Sequence, residues 1–283
     1  MWQQVLFVVW RESVEAILII GIVYAWLKQS GARTGLLYLW LGVAAGLGLA
    51  GLFGVALMSA DSFLAGEAQD VFQAVMVLLA CALITQMVLW MRAHARTLKR
   101  ELHAGLEKSV DRASYWGIAV LVAIAVAREG SETVVFLYGM GMAQLQMGGF
   151  ASFLTAAAGG FALALLTFYA MQLGSKLFSW TWFFRVTEIL LLLLAASLLV
   201  SGVEKLIGLG WLPAGIDPLW DTSAWLDDSA GLGGLLATLA GYRAWPAETM
   251  VIAYGAYWLI VIALLRWQSR RVQASVEPAG SPR

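Results

Sequence analysis

The sequence has few of the groups that a soluble protein displays, because only 13% of its 283 residues are charged. A single cysteine, Cys81, excludes an intrachain disulfide bond. The first residues contain no basic leader and no small-residue cleavage site, so we expect the first apolar run to be retained as a membrane span. Hydrophobic residues, in contrast, make up 61% of the chain. This composition predicts an all-α polytopic membrane protein.

Seven apolar runs of roughly 20 residues are each long enough to cross a bilayer. They predict one transmembrane domain over residues 1–283, with seven helices and a cytoplasmic tail at 268–283. The predicted spans are residues 4–27, 36–58, 71–91, 115–138, 150–174, 184–203 and 248–267.

Lysine and arginine occur in alternate connections between these spans. They are found in residues 28–35, 92–114 and 175–183 and in the tail, whereas 59–70 contains none and 204–247 is acidic. The positive-inside rule therefore predicts a multi-pass membrane protein with the N-terminus outside and the C-terminus cytoplasmic. The basic segment 92–112 predicts an amphipathic helix that binds anionic membrane lipid, so nucleic-acid binding is not needed to explain it.

Two predicted spans carry the same charged motif, R-E-x-x-E. Residues 11–15 place it halfway along the first span, and residues 128–132 place it a little past halfway along the fourth. Each ionisable group at that depth costs on the order of 2.5–3.5 kcal/mol, so a function is the expected reason for it. Because spans 1 and 4 run in opposite directions, spans 1–3 and 4–6 are predicted to form inverted 3+3 repeats, with the seventh helix added. Transporters of this design bind their substrate near the midplane between the repeats.

The spacing within each motif brings its charges together. Residues three apart on a helix share a face, and residues four apart can form an ion pair. Two facing motifs then offer four carboxylates and two guanidiniums, a net charge of −2 if all are ionised. Oxygen ligands suit hard ions such as Mg, Ca, Mn and ferric iron. The predicted metal ligands are Glu12, Glu15, Glu129 and Glu132, with Arg11 and Arg128 as supporting charges.

Other interpretations of the motifs remain open. Each motif could be an ion-pair cluster that only holds helices together, or a proton relay, since paired carboxylates also titrate. A membrane di-iron oxidase is disfavoured, because such sites need Glu-x-x-His on facing helices. The only histidines, His94 and His103, lie in the basic connection, so we do not expect an enzyme.

Accessory charges and glycines complete the pattern. Glu188, three residues after Arg185, is either an exit site for the ion or half of an interfacial pair. Glu67 and Asp70 either collect cations outside or are solvated loop charges. The glycines of span 2 and the pair at 159–160 predict close helix packing. The four tryptophans and four aspartates of segment 204–247 predict an outer surface layer that docks a periplasmic partner or concentrates cations.

The chain resembles the high-affinity iron permease family, the oxidase-dependent iron transporters of fungi and bacteria. The resemblance rests on the paired motifs in spans 1 and 4, and it continues through residues 90–102 and 241–247. It implies uptake of iron across the cytoplasmic membrane, with the motif glutamates binding the ion and no resident cofactor. It also implies a periplasmic partner that is cupredoxin-like, iron-binding or iron-oxidising.

Two positions depart from the family pattern. Ser13 replaces the usual glycine of the first motif, but serine is small enough to allow close helix approach. Where the family often has glutamates at the start of span 3, this chain has Glu67, Asp70 and then Gln73.

Two other functions remain open, a proton-linked carrier and a channel for another divalent metal such as manganese.

Overall fold

The computed structural model describes residues 2–94, 115–139, 150–173, 180–229 and 231–274, and within these ranges it contains eight α-helices and no β-strand. The helices are α1 (Trp2–Gln29), α2 (Arg33–Phe63), α3 (Glu67–His94), α4 (Trp116–Gly139), α5 (Phe150–Leu173), α6 (Trp180–Gly208), α7 (Gly231–Ala240) and α8 (Glu248–Ala274).

Seven of these helices are long, and each coincides with one of the apolar runs in the sequence. Five of them, α2, α3, α5, α6 and α8, are both long and apolar enough to cross a membrane. The other two, α1 and α4, have 28 and 24 residues, lengths of about 42 and 36 Å, but they carry the charged motifs. The protein is therefore an all-helical, multi-pass membrane protein.

The helices form two compact units. Unit 1 consists of Met1–Ala80 and Thr97–Leu190, and unit 2 consists of Cys81–Arg96 and Leu191–Arg283. The divisions fall within α3 and α6, the third helix of each predicted repeat. Both charged motifs belong to unit 1.

Within unit 1, α2 packs along α4, α1 packs along α5, and α1 also contacts α4 and α2. A buried apolar cluster joins α1, α2 and α4 at one end of the unit, because these helices place branched side chains on facing stripes. It consists of Val23, Leu27, Leu39, Ile118, Val122 and Val126.

Glycines allow the backbones of these helix pairs to approach closely. A Cβ atom at Gly46 would lie 2.8 Å from the Ala123 carbonyl oxygen and 3.0 Å from the Ala127 nitrogen. A Cβ atom at Gly160 would lie 2.6 Å from the Leu6 carbonyl oxygen and 3.0 Å from the Trp10 nitrogen. In each pair, the two contacted residues lie five positions and one position before the arginine of the motif on that helix. The contact of α2 with α4 therefore has the same register as the contact of α5 with α1.

The expectation that every span 2 glycine packs against a neighbouring helix is wrong at two positions. Gly42 does contact α4, because its Cβ would lie 2.6 Å from the Ala119 carbonyl oxygen. Gly48 and Gly51 have no neighbouring atom within 4 Å in the described part of the chain. The reason is rotational, since only one face of α2 is turned toward α4.

Unit 2 contains a folded segment between α6 and α8 rather than an open loop. The Tyr242 hydroxyl group lies 2.6 Å from Thr222 Oγ1 and donates to the Leu226 carbonyl oxygen at 3.0 Å. Arg243 forms an ion pair with Glu204 at 3.2 Å. A small apolar cluster of Val200, Val203, Ala247 and Met250 underlies the segment.

Three aspartates of this segment have local hydrogen-bond partners. The Ser223 hydroxyl and backbone N–H donate to Asp221, and the Ser229 backbone N–H and hydroxyl donate to Asp227. These hydrogen bonds hold the pKa of each carboxyl group below its ordinary value, because they favour the charged form. Asp228 accepts from the Ala244 N–H at 3.1 Å. The aspartates therefore shape the segment as well as supplying its negative charge.

Some sequence predictions lie outside the described residues. They include most of the basic segment 92–112, the side chains of both histidines, the connection 140–149 and the end of the tail.

Candidate metal centre

Both charged motifs lie on the facing surfaces of α1 and α4. Trp10, directly before the first motif, donates from Nε1 to Thr167 Oγ1 of α5 at 3.0 Å. In the second motif, a Cβ atom on Gly130 would lie 2.5 Å from the Ala50 Cβ atom of α2. These contacts with the neighbouring helices fix the rotation of α1 and α4, and hence the direction of the motif side chains.

The first motif forms a buried ion-pair cluster. Arg11 is only 3% exposed and pairs with both glutamates of its motif. Its Nη1 atom lies 2.5 Å from Glu12 Oε1, and its Nη2 atom lies 2.5 Å from Glu15 Oε1. The spacing predicts the pair with Glu15, one helical turn away. The pair with the adjacent Glu12 was not predicted, because it depends on how the guanidinium is oriented.

The second motif repeats only part of this arrangement. Arg128 Nε donates to Glu132 Oε1 at 2.9 Å, the i to i+4 pair that the spacing predicts. However, Arg128 is 44% exposed, and Glu129 forms no ion pair among the described residues. Glu129 is buried and approaches the first motif instead.

Three carboxylates from the two helices meet in what we call the glutamate cluster: Glu12, Glu15 and Glu129. One oxygen atom from each lies within 4.8 Å of the others. At 4.8 Å, two full negative charges repel by about 3.5 kcal/mol at an effective dielectric constant of about 20. Arg11 and Arg128 both attract carboxylates of the cluster, but their charges balance only part of the repulsion, and a bound cation would balance more of it.

Several carboxylate oxygens at the cluster have no hydrogen-bond partner. They are the Oε2 atoms of Glu12, Glu129 and Glu132, all of which are buried. Glu132 lies outside the group of three but interacts electrostatically with Glu12 and Glu15. Buried polar atoms are usually satisfied, so these oxygens are available to ligate an ion. All of them are hard donors, which fits a divalent or trivalent metal cation.

The predicted accessory residues are not part of the glutamate cluster. Glu67 and Asp70 are exposed in the first turn of α3. Glu188 is half-buried in α6, and Arg185 is exposed. Their proposed roles in collecting or releasing ions remain untested by this geometry.

Sequence reasoning missed a buried carboxylate at the end of α2. Asp61 is 3% exposed, and Tyr138 at the end of α4 interacts with it. The apolar runs place Asp61 in the connection 59–70, outside the predicted second span. Its position in the last turn of an apolar helix was the available signal, but its burial depends on the packing of α3 and α4.

Most of the chain is similar to known proteins. Residues 3–269 match the iron permease FTR1 family. A protein named ferrous iron permease EfeU from Escherichia coli O157:H7 is 26% identical over 249 residues, which cover 87% of this chain and 89% of that protein. Its namesake from Yersinia pestis is 25% identical over 259 residues, 91% of this chain and 90% of that protein. No solved structure matches significantly.

Proposed function

Because the chain belongs to the iron permease FTR1 family, a family of transporters rather than enzymes, we propose that it carries iron across the cytoplasmic membrane into the cell through its two R-E-x-x-E motifs. Iron is then the transported substrate, and no resident cofactor is required.

The observation that carries this proposal is the glutamate cluster. Carboxylate oxygens from two separate helices converge within 4.8 Å inside a unit made of apolar helices. An ion-pair cluster that served only stability would need one cation for each anion. Here one buried arginine faces three carboxylates, and the remaining negative charge favours reversible binding of a cation.

The arginines give the cluster a reason to release its ion. Arg11 pairs with both Glu12 and Glu15, and its positive charge weakens the attraction of the cluster for an incoming cation. Iron would exchange its water for oxygens of Glu12, Glu15, Glu129 and Glu132, and pass inward as the helices rearrange.

The packing of unit 1 supports the proposed inverted repeat. In an inverted repeat, α1 corresponds to α4 and α2 corresponds to α5. The α1–α5 pair then corresponds to the α4–α2 pair, and both pairs are observed, as is the α1–α4 contact between the two repeats. The matching contacts of Gly46 and Gly160 follow the same exchange. Seven spans with the N-terminus outside and the C-terminus inside complete the proposed topology, which places the site near the bilayer midplane.

A periplasmic partner completes the proposal. The chain has no redox cofactor motif, so an iron-binding, iron-oxidising or cupredoxin-like protein outside would control the oxidation state of the ion. The acidic segment 204–247 offers such a partner a surface rich in exposed tryptophan, with Trp225 the most accessible. Of the accessory residues, Glu188 would receive the ion as it leaves the glutamate cluster toward the cytoplasm. Glu67 and Asp70, exposed in the first turn of α3, are solvated charges in this proposal, which is the other interpretation that the sequence leaves open.

The second candidate is transport of another divalent ion such as manganese, or a proton-linked carrier. Both remain candidates because hard oxygen ligands do not separate Fe(II) from Mn(II) by chemistry alone. The named relatives are ferrous iron permeases, so Fe(II) is the first ion to offer.

Uptake into sealed vesicles that contain the purified chain tests the function. We expect uptake of Fe(II) or Fe(III) to exceed that of Mn(II), and Glu129→Gln to reduce it to the level of empty vesicles. Glutamine keeps the shape of the side chain but removes the charge that binds the ion. Since Glu129 has no ion-pair partner among the residues that the structure describes, its neutralisation should not unfold the protein.

The matched control is Glu67→Gln, which removes an exposed carboxylate and should leave uptake unchanged. Full uptake by Glu129→Gln and by Glu15→Gln would favour the purely structural ion-pair cluster. Faster uptake of Mn(II) than of either iron ion would favour the second candidate.

A further inference from the structure

A second buried carboxylate lies outside the two motifs, in the last turn of α2. Asp61 Oδ1 accepts no hydrogen bond, and Oδ2 accepts only a long one from Gln69 Nε2 at 3.4 Å. Asp61 takes part in no ion pair of the described residues, and the helix dipole disfavours a negative charge at this end. A buried carboxylate with so little compensation is costly unless a cation joins it.

Tyr138 brings a second unsatisfied oxygen atom to the same place. Its side chain is 3% exposed and interacts with the Asp61 carboxylate. Its hydroxyl group, like Asp61 Oδ1, makes no hydrogen bond of good geometry. The ring of Phe72 in α3 packs edge-on against the Tyr138 ring, with centroids 5.7 Å apart. Three helices, α2, α3 and α4, therefore hold these groups in place.

The position of this pair relates it to the glutamate cluster. Tyr138 follows Glu132 by six residues on the same helix, which is about 9 Å along the axis. In the proposed topology, the C-terminal ends of α2 and α4 face outward. An ion moving inward would meet Asp61 before it meets the motifs.

We propose that Asp61 Oδ1 and the Tyr138 hydroxyl oxygen are ligands of a second, outer site for a hydrated divalent cation, with Gln69 orienting the carboxylate. The proposal rests on the proposed function, because it gives the ion a first binding position before the glutamate cluster. One carboxylate with neutral oxygen donors suits a hard cation that keeps several of its waters. Such a site binds weakly and releases the ion to the more negative cluster.

Manganese(II) binding to the detergent-solubilised full chain, followed by electron paramagnetic resonance, tests the outer site directly. The double variant Glu12→Gln/Glu129→Gln removes two of the four proposed inner ligands and so weakens the inner site, and we expect a weaker Mn(II) site to remain. Adding Asp61→Asn should lower that residual affinity by about tenfold or more, since loss of even an outer-shell group commonly has an effect of this size. Tyr138→Phe should lower it less. Asp70→Asn, which removes an exposed carboxylate from the first turn of α3, should not change it.

Uptake kinetics supply a second readout. In the otherwise unchanged chain, Asp61→Asn should raise the iron concentration that gives half-maximal uptake and leave the maximal rate nearly the same. Asparagine preserves the side-chain shape, so the variant should fold. If it did not accumulate, Tyr138→Phe would carry the test with the carboxylate in place.

Equal residual Mn(II) binding in the Asp61→Asn and Asp70→Asn variants would overturn the outer site, and so would the absence of any residual site in the double variant. Either result would leave Asp61 as a structural neighbour of Tyr138 and would not bear on the glutamate cluster. Conversely, unimpaired iron uptake by the double variant would contradict the proposed function. The comparison of Mn(II) binding between Asp61→Asn and Asp70→Asn would still test the outer site.

Discussion

Arg11 and Arg128 occupy the same position in identical motif patterns, yet their surroundings differ. Arg11 is buried between two carboxylates, whereas Arg128 is 44% exposed and pairs with Glu132. A buried ion pair that loses one partner leaves an uncompensated charge in a medium of low dielectric constant. Exposed arginines within a membrane almost always face a water-filled cavity, and water there screens the ion pair and reduces its contribution to stability. The two arginines should therefore contribute differently to stability.

Substitution of each arginine by glutamine tests this difference. Arg11→Gln should lower the free energy of unfolding by about 3–5 kcal/mol, because Glu12 and Glu15 lose their shared partner. Arg128→Gln should lower it by about 0–1 kcal/mol. Denaturant titration in detergent micelles measures both. Equal losses would mean that the two motifs are equivalent in stability and that the asymmetry of the ion pairs is unimportant.

At the scale of helices, small residues determine how closely α2 approaches α4 and α5 approaches α1. Without a hydrophobic driving force between helices in lipid, such close packing is a main source of association energy. It also sets the separation of α1 and α4, because α5 packs along α1 and α2 packs along α4. The geometry of the glutamate cluster therefore depends on glycines that never contact the ion.

Single alanine substitutions test this dependence. Gly46→Ala and Gly160→Ala should each destabilise the protein by about 1–3 kcal/mol, because the added methyl group overlaps the backbone of the neighbouring helix. Both should also reduce iron uptake by displacing a motif helix. Measurements of unfolding and of uptake in vesicles check the two effects together.

Gly48→Ala is the matched control within α2. Its methyl group meets no described atom within 4 Å, and alanine is the better helix former by about 1 kcal/mol. We expect unchanged uptake and unchanged or slightly higher stability. A loss as large as that of Gly46→Ala would show that helix flexibility, and not close packing, is the property that matters.

At the scale of the whole molecule, the direction of transport depends on the orientation of the protein in the membrane, that is, on which helix ends lie outside and which lie in the cytoplasm. The distribution of lysine and arginine predicts a cytoplasmic connection after α1 and an outer location for the segment between α6 and α8. The proposed cation site at Asp61 and the proposed partner surface both require this orientation. A reversed topology would place them inside the cell.

Cysteine labelling in sealed vesicles of known orientation tests the topology. Cys81 is the only native cysteine and is buried, so the background should be low. Ala224→Cys and Ser30→Cys place thiols at exposed positions. A membrane-impermeant maleimide should label Ala224→Cys only from the outer face and Ser30→Cys only from the cytoplasmic face. Labelling of both from one face would contradict the proposed arrangement.

The sequence by itself determined the features that depend on local geometry. The long apolar runs indicated the helices, because a span of about 20 apolar residues is required to cross a bilayer. The pairs Arg11–Glu15 and Arg128–Glu132 followed from the helical repeat of 3.6 residues per turn. The doubled motif also indicated the family, and the match over residues 3–269 confirms it.

Only the tertiary structure decided which groups from different helices meet. Glu129 rather than Glu132 joins Glu12 and Glu15, Gly48 and Gly51 face away from α4, and Asp61 is buried beside Tyr138. The physical reason is that spacing along a helix fixes the relative angles of its own side chains. The rotation and axial offset between two helices depend on the packing of every residue along their contact.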